Sequence, residues 1–314
     1  MWYIVGTVPD PDFALCTAGL EGPSTVADGL LHLPDGQAVP VQRGTAALAA
    51  TAILACEELC VAPPRLLLAG DPGSGAGSRA IYAWLEQNIA QLSPTGLTFH
   101  YLFPDQDWHN RVLMAVQDLP KRPIMVADAG FMYVAKMSGY ADAYDLFTPD
   151  LGELAFLADE KAPHPFYTRG FLLAQEDDVP PLLLRALEHA NCPKNMIIKG
   201  SRDYIVLDGQ IAATVDAPSV ASMECIGGTG DLVTGLATAF LCANTDLGHA
   251  NMDSASMGES CTAAARMARM LAQHCAPTPG TQIAELIEKL PEALAATRSV
   301  WPPNLAAPQI QAPA

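Results

Sequence analysis

A glycine-rich turn that leads directly into a carboxylate is the stretch of this sequence best suited to chemistry. Residues 225–235 read CIGGTGDLVTG, and the turn consists of Gly227, Gly228, Thr229 and Gly230. We predict a helix from Asp231 to Ala243, whose free N–H groups and dipole would form an anion hole. A carboxylate there could deprotonate a hydroxyl while the turn holds a transferred phosphoryl group. The alternative is that Asp231 only caps its helix, although an ordinary cap needs no glycines before it.

A second glycine-rich turn, AGDPGSGAGSR, follows an apolar run at residues 69–79. It is neither a Walker A loop nor a Gly-x-Gly-x-x-Gly motif. Gly73 and Gly75 would still let the backbone approach a ligand where a strand leads into a helix. A plain strand–helix turn is the alternative.

Two further carboxylates stand where an element ends or begins. Asp128 closes the apolar run RPIMVADA, and a buried carboxylate in that place is costly unless it is used or paired. Glu153 opens the next helical stretch, where an acid in the first turn would also simply complement the helix dipole.

The elements that must position these residues alternate along the chain. The predicted strands are WYIVGTV, RLLLAGD, LTFHYLF, RPIMVADA, YDLFTP and NMIIKG. The predicted helices between them are GTAALAATAILACEEL, SRAIYAWLEQNIAQL, GELAFLAD and PLLLRALEHA. This alternation is typical of an α/β fold with a mostly parallel sheet covered by helices on both faces.

The second half of the chain departs from that alternation. Asp208-Gly209 lies between two β-rich runs and predicts a type I′ hairpin, hence an antiparallel edge to the sheet. Helices are expected from there to about residue 297, and an irregular tail over 301–314. We expect one domain over 1–300, with the mixed segment 158–180 as a lid or a surface excursion.

Composition limits the classes of partner. The chain has 314 residues, half of them hydrophobic, and a formal net charge of −17. Such a charge argues against a nucleic-acid partner, although backbone N–H groups and a metal ion can still hold a small anionic ligand. No apolar segment near the start is long enough to span a bilayer, so we expect no membrane association and a cytoplasmic protein. Self-association into a homo-oligomer is plausible for so apolar a chain.

The stretch GGTGDLVTG resembles the Gly-Thr-Gly-Asp signature of the ribokinase-like superfamily. Within it, the sequence is most similar to the ADP/ATP-dependent NAD(P)H-hydrate dehydratases. Four other stretches resemble that family in the same order, over roughly Pro123 to Leu294: RPIMVADAGFM, YDLFTPDLGELAFL, NMIIKGSRDYIVLDGQ and QIAELIEKLPEAL. The resemblance implies a ribokinase-like three-layer α/β/α sandwich.

The same resemblance implies roles for particular residues. Asp231 would be the base acting on a substrate hydroxyl, with Gly228 and Gly230 supplying the anion hole. Lys199 and Gly200 would lie against the nucleotide, which would be ATP or ADP. The residues implied near substrate or Mg²⁺ are Asp128, Thr148, Asp150 and Glu153. The metal ligands themselves are left open.

The implied reaction is phosphorylation of hydrated NADH or NADPH, followed by phosphate loss that restores the dinucleotide. However, Asp150 stands where the family motif Thr-Pro-His-Pro-Gly-Glu has histidine, and Leu151 replaces the second proline. The residues implied to bind nucleotide thus match the family motifs better than the residues implied to bind substrate. A kinase for a sugar, a vitamin precursor or another small alcohol is the second hypothesis, and a nucleotide-binding relative without catalysis is the third.

Overall fold

The computed structural model describes residues 1–162, 178–246, 252–298, 301, 302 and 305. Its strands are β1 (Trp2–Val8), β2 (Thr25–Ala27), β3 (Leu30–His32), β4 (Ala38–Pro40), β5 (Arg65–Gly70), β6 (Gly96–His100), β7 (Ile124–Asp128), β8 (Leu146–Phe147), β9 (Met196–Ile198), β10 (Asp203–Leu207) and β11 (Gln210–Val215). Its α-helices are α1 (Ala18–Glu21), α2 (Thr45–Glu58), α3 (Ala76–Leu92), α4 (Gln106–Gln117), α5 (Gly130–Met137), α6 (Leu151–Ala158), α7 (Val179–Glu188), α8 (Thr229–Asp246), α9 (Ser254–Cys275), α10 (Ile283–Glu288) and α11 (Leu290–Ala296).

The central sheet has eight strands in the order β11-β10-β9-β8-β7-β6-β1-β5. Strands β5, β1, β6, β7, β8 and β9 run parallel, whereas β9, β10 and β11 pair antiparallel. The predicted parallel sheet with an antiparallel edge hairpin is therefore confirmed. At the hairpin, Asp208 and Gly209 have φ angles of 50° and 78°, as a type I′ turn requires.

Two apolar cores lie on opposite faces of this sheet, because successive strand residues point to opposite sides. Ile4 and Leu66 belong to the core covered by α2, α8, α9, α10 and α11. Val5 and Leu67 belong to the core covered by α3, α4, α5, α6 and α7. The arrangement is the predicted three-layer α/β/α sandwich.

A small antiparallel sheet, β2-β3-β4, was not predicted from the sequence. Its strands have three residues each, too few to show a period-two pattern. Leu31 and Val39 are buried in the same core as α2, and the N–H of Gly29 donates to Glu288 at 2.6 Å. Helices α4 and α5 were also missed, because the first half of α4 is largely polar and α5 has only eight residues.

Two expectations concern parts of the chain that the structure covers incompletely. Of the segment 158–180, residues 163–177 lie outside the described residues, and most of the tail 301–314 does as well. The single-domain prediction over 1–300 stays a prediction. No helix among the described residues combines the length and the apolar character needed to cross a bilayer.

Candidate active site

Four polar residues stand in a row where neighbouring strands of the sheet end. His100 closes β6, Asp128 closes β7, Thr148 follows β8 and Lys199 follows β9. His100 and Asp128 are register partners, and Lys199 pairs with Asp150 in the same parallel sense. Because all four strands run parallel, their carboxyl ends share one edge of the sheet, which is where open α/β sheets bind ligands.

Asp128 and Lys199 form a buried ion pair at the centre of this row. The Lys199 ammonium donates to both carboxylate oxygens of Asp128, at 2.9 and 3.1 Å. The hydroxyl of Thr234, on α8, donates to Asp128 Oδ2 at 2.6 Å, and Thr148 Oγ1 lies 2.9 Å from Thr234 Oγ1. The sequence indicated that a buried carboxylate at Asp128 would be costly without a use or a partner, and the structure gives it Lys199 as a partner.

The charge of Lys199 is maintained in spite of its burial. Burial opposes the ammonium form, but the carboxylates of Asp128 and Glu153 outweigh it and hold the pKa of Lys199 above its ordinary value. A fixed positive charge therefore stands at the carboxyl edge of the sheet.

Asp231 lies in the first turn of α8, which begins at Thr229, two residues earlier than predicted. Its carboxylate accepts from the backbone N–H of Gly44 at 2.6 Å through Oδ2. His100 Nε2 lies 3.0 Å from Oδ1. Burial raises the pKa of Asp231, but the contacts with His100 and Gly44 and the charge of Lys199 lower it more, so the net shift is downward.

The turn before Asp231 has a backbone that requires glycine at Gly228. Its φ is 98°, and a Cβ there would lie 3.1 Å from Ile283 Cγ1 and 3.3 Å from Arg43 Cα. The next glycine, Gly230, faces Lys199: a Cβ on it would lie 3.4 Å from the ammonium nitrogen. The start of α8, where N–H groups have no intrahelical acceptor, therefore adjoins the lysine charge.

Asp150 and Glu153 form a capping box at the start of α6. The Asp150 side chain accepts from the Glu153 N–H at 2.8 Å, and Glu153 Oε2 accepts from the Asp150 N–H at 2.9 Å. Tyr133 also donates to Glu153 Oε1 at 3.0 Å. Burial and the Asp150 charge raise the pKa of Glu153 to about 8, while Lys199 partly offsets them. Helix capping thus describes the geometry of both acids, and both also line the cleft described next.

A cleft of about 510 Å³ opens above the row and has two distinct ends. One end is polar and is lined by Tyr101, Asp128, Asp150, Glu153, Lys199 and Asp231. The other is lined by the apolar residues Pro218, Val220, Ala221, Met223, Val233, Ala268 and Ala272, together with the polar residues Ser201, Asp203, Ser219, Glu224 and Arg269. The glycine-rich turn, Gly228 to Gly230, also lines the cleft. The cleft can therefore hold a ligand with an apolar part, an anionic part and a reacting polar group.

Arg269, on α9, holds the backbone that follows Lys199. Its guanidinium donates to Asp203 at 2.9 Å and to the carbonyl oxygens of Gly200 and Ser201 at 3.1 and 2.8 Å. Asp203 in turn accepts from the Gly200 N–H at 3.1 Å. The turn over residues 200–203 is thereby fixed beside the apolar end of the cleft.

Tyr101 projects into the polar end in an unusual backbone conformation. Its φ is 49°, and the residue is large but exposed over 50% of its surface. The hydroxyl of Thr7 donates to its carbonyl oxygen, and its ring meets the ring of His100 edge-on at 4.4 Å. A non-glycine residue in this region is strained, and strain of this kind concentrates at functional sites.

Four of the predicted site residues do not line the cleft. Gly73 and Gly75 are held by Asp71, whose carboxylate accepts from both of their N–H groups at 3.0 and 2.9 Å. Thr148 is fully buried behind Asp128, and Gly227 is exposed at the outer side of its turn. The ligand contacts assigned to these four residues stay predictions, and the structure offers an internal role for the turn around Asp71.

The carboxylates of the site differ in their fitness for Mg²⁺. His100, Asp128 and Asp231 bring three potential ligand atoms within 4.8 Å of one another. However, Asp128 already faces an ammonium group, and His100 uses Nε2 on Asp231. Asp150 and Glu153 are two further oxygen donors at the cleft wall, and a cation there would offset the burial and the Asp150 charge that raise the pKa of Glu153.

His100 and Gly44 were not identified as site residues from the sequence. His100 ends β6 in the structure, but the predicted strand LTFHYLF runs on for three more residues, so the rule that singled out Asp128 does not find it. Gly44 carries no comparable signal, because it reaches Asp231 across 187 positions of sequence.

Comparison with known proteins shows the family of this chain. A family model described as NAD(P)H-hydrate dehydratase matches residues 105–291. An uncharacterized protein of Methanocaldococcus jannaschii is 34% identical over 230 residues, which are 73% of this chain and 90% of that protein.

Solved structures share the fold at low sequence identity. A ribokinase-like superfamily protein from Enterococcus faecalis has a TM-score of 0.51 at 11% identity, covering 94% of this chain and 86% of that one. Phosphofructokinase-2 from Escherichia coli, in complex with potassium, has a TM-score of 0.52 at 14% identity, covering 93% and 98%. Because the family model spans more than half of the chain, this chain is an enzyme that belongs to the NAD(P)H-hydrate dehydratase family, and it shares the fold of ribokinase-like proteins.

Proposed function

We propose that this enzyme transfers a phosphoryl group from ATP or ADP to a hydroxyl group of a small molecule. One observation carries the proposal: an ionised carboxylate, a largely buried lysine charge and a glycine-rich helix start line the same cleft. Asp231 would act as the base, and Lys199 with the N–H groups of Gly228 to Gly230 would hold the anionic phosphoryl group.

Asp231 is suited to receive a proton from an alcohol. Its low pKa keeps the carboxylate ionised at neutral pH. Each of its oxygens is in contact with one protein group, and a carboxylate oxygen has a second lone pair available. The carboxylate is therefore oriented and charged before the substrate arrives, which is favourable for general-base catalysis.

The two ends of the cleft support a division between donor and acceptor. The apolar end, between Val220, Val233 and Ala268, suits the flat base of a nucleotide, and the turn held by Arg269 borders it. The polar end, with Tyr101 and Asp150, is then left for the acceptor. Transfer would occur beside Gly230 and Asp231, with Asp231 on the acceptor side.

Asp150 and Glu153 would hold Mg²⁺ if the reaction uses it. The ion would neutralise charge on the phosphate oxygens of the nucleotide. Independently of the ion, Lys199 supplies a positive charge that the pairing with Asp128 keeps in place.

Hydrated NADH or NADPH is the acceptor we favour, because the family that includes this chain is described by that activity. Phosphorylation of the ring hydroxyl followed by loss of phosphate would restore the dinucleotide. A kinase for another small alcohol is the second candidate. It is favoured by Asp150, which places a carboxylate at the acceptor end where the resembling motif has histidine.

The test is an assay on the full chain with hydrated NADH, Mg²⁺ and either ATP or ADP, followed by the absorbance of NADH. Nucleotide-dependent recovery supports the dehydratase. No recovery of NADH, combined with nucleotide consumption on another alcohol, supports the kinase.

Asp231→Asn should abolish turnover in either case and keep nucleotide binding. Asp107→Asn, at a carboxylate that is 73% exposed on α4, is the matched control and should leave turnover unchanged.

A further inference from the structure

His100 is a fully buried histidine with both ring nitrogens in polar contacts. Nε2 lies 3.0 Å from Asp231 Oδ1, and Nδ1 lies 3.0 Å from Thr45 Oγ1. The reaction proposed above assigns no role to either His100 or Thr45, although the first touches the base directly.

The contact with Asp231 defines which ring nitrogen carries a hydrogen. An ionised Asp231 can only accept hydrogen bonds, so Nε2 must carry the hydrogen. In a neutral imidazole the other nitrogen is then an acceptor, and the hydroxyl of Thr45 is the donor to Nδ1. In the neutral ring, a Thr45 hydroxyl that donates to Nδ1 favours the tautomer that presents an N–H to the base.

A backbone contact completes the support of the carboxylate. Gly44, directly before Thr45 at the start of α2, donates its N–H to the second oxygen of Asp231 at 2.6 Å. With one oxygen held through His100 and the other held by Gly44, rotation of the carboxylate about its Cβ–Cγ bond is restrained. The plane of Asp231 is therefore set by one turn of α2, both directly and through the histidine ring.

Other roles for His100 agree less well with these contacts. A metal ligand needs a free lone pair, whereas Nε2 carries a hydrogen and the nearby Asp128 faces Lys199. A proton acceptor needs a free Nδ1, whereas that atom already lies 3.0 Å from Thr45 Oγ1. His109 shows what a purely structural histidine looks like here: it is buried too, but its partners are Tyr144 and Asn110, away from the cleft.

We propose that His100 is a positioning residue that holds Asp231 in the orientation needed to accept the proton of the acceptor hydroxyl, and that Thr45 keeps His100 in the required tautomer. This rests on the proposed role of Asp231 as the base. The charged and titratable groups around the ring are Asp231 from α8, Asp128 from β7 at 3.9 Å, and the adjacent Tyr101.

The kinetic test compares three variants with a matched control. His100→Leu should lower kcat about 100-fold with little change in the KM for nucleotide, and should move the acid limb of kcat/KM to higher pH. His100→Gln, which can place an N–H near the position of Nε2, should recover about 10-fold of that loss. Thr45→Val, of nearly the same shape, should lower kcat about 10-fold.

Thr98→Val is the control for Thr45→Val. Thr98 is equally buried, and its hydroxyl contacts Trp2 and Thr238 rather than His100. It should leave kcat and the pH profile unchanged even if it lowers the melting temperature. Equal losses of kcat in Thr45→Val and Thr98→Val, in proportion to lost stability, would overturn the proposal.

A second measurement does not depend on turnover. The ¹⁵N shifts of the His100 ring in the free protein, assigned with the His100→Gln variant, should show a protonated Nε2 and an unprotonated Nδ1 at pH 7. Thr45→Val should produce a mixture of tautomers or a charged ring. A ring protonated on Nδ1 in the unmodified protein contradicts the proposal. Should Asp231→Asn keep full turnover, the proposed base fails instead, whatever the His100 tautomer.

Discussion

Lys199 follows β9 and Asp128 ends β7, and across the intervening strand β8 they meet in an ion pair, with the ammonium 2.9 Å from one carboxylate oxygen and 3.1 Å from the other. Both side chains are largely shielded from water. Breaking a buried pair from one side leaves the other charge without its partner. The lysine that we assign to phosphate binding is therefore also part of what stabilises the fold.

We expect Lys199→Met to lower the free energy of unfolding by about 3 kcal/mol, because Asp128 would remain buried without its cation. Chemical denaturation measures this directly. Lys199→Met combined with Asp128→Asn should recover part of the loss. Lys289→Met, which removes an exposed partner of Glu292, should stay within about 0.5 kcal/mol. A Lys199→Met protein as stable as the unmodified one contradicts the buried pair.

Substitution of Gly228 should disturb the anion hole and not only the stability. An alanine would have to adopt a φ of 98° with its Cβ against Ile283 and Arg43. We expect Gly228→Ala to weaken nucleotide binding by at least about 10-fold, as measured by calorimetry. Gly139→Ala is the matched control, since Gly139 also has a positive φ, of 73°, but no atom within 4 Å of the added Cβ. It should cost about 1 kcal/mol of stability and leave nucleotide affinity unchanged.

Arg269 gives a test that separates the two ends of the cleft. Arg269→Met would release Asp203 and the carbonyl groups of Gly200 and Ser201. We expect the KM for nucleotide to rise about 10-fold while the KM for the acceptor changes little. Arg266→Met, at an exposed position of the same helix, should change neither constant. A rise confined to the KM of the acceptor would mean that the two ends are assigned the wrong way round.

Tyr101 should show a trade between stability and function. Glycine adopts the positive φ of this residue without strain, so Tyr101→Gly should leave the melting temperature unchanged or raise it. The same change removes a ring from the polar end of the cleft, and we expect the KM of the acceptor to rise about 10-fold. Tyr101→Phe keeps the ring and serves as the control. Full activity of Tyr101→Gly would remove this residue from the acceptor site.

The stability of the protein should fall in mildly acid solution because of His109. Burial lowers the pKa of His109 to about 4, and its hydrogen bond with Asn110 offsets only part of that. Between the unfolded pKa of 6.5 and the folded value, the unfolded chain binds a proton that the folded chain does not, so stability decreases as pH falls through that window.

The expected loss that His109 contributes between pH 7 and pH 5 is about 2 kcal/mol. The measurement is the difference in unfolding free energy between these two pH values. His109→Leu should make that difference smaller, whatever its effect at pH 7. His274→Gln, at a surface histidine near Glu292, should leave it unchanged. If the unfolding free energy of His109→Leu changed with pH as much as that of the unmodified protein, the lowered pKa of His109 would be contradicted.

Local patterns were sufficient for much of the fold and for the central motif. Continuous apolar runs predicted the parallel strands, Asp208-Gly209 predicted the hairpin, and the glycine-rich turn predicted a helix start beside Asp231. Each of these depends on residues within a few positions of one another, whose backbone preferences act without help from the rest of the chain. The short strands β2 to β4 and helices α4 and α5 escaped because their patterns are short or interrupted.

The contacts that make the site belong to the tertiary structure. Lys199 reaches Asp128 across 71 positions, His100 reaches Asp231 across 131, and Gly44 reaches it across 187. Which strand ends become neighbours depends on the strand order of the sheet, which is selected by packing the two apolar cores and not by any local preference. The chemical types of the site residues can thus be recognised along the chain, whereas their pairing, tautomer and burial are decided only when the sheet assembles.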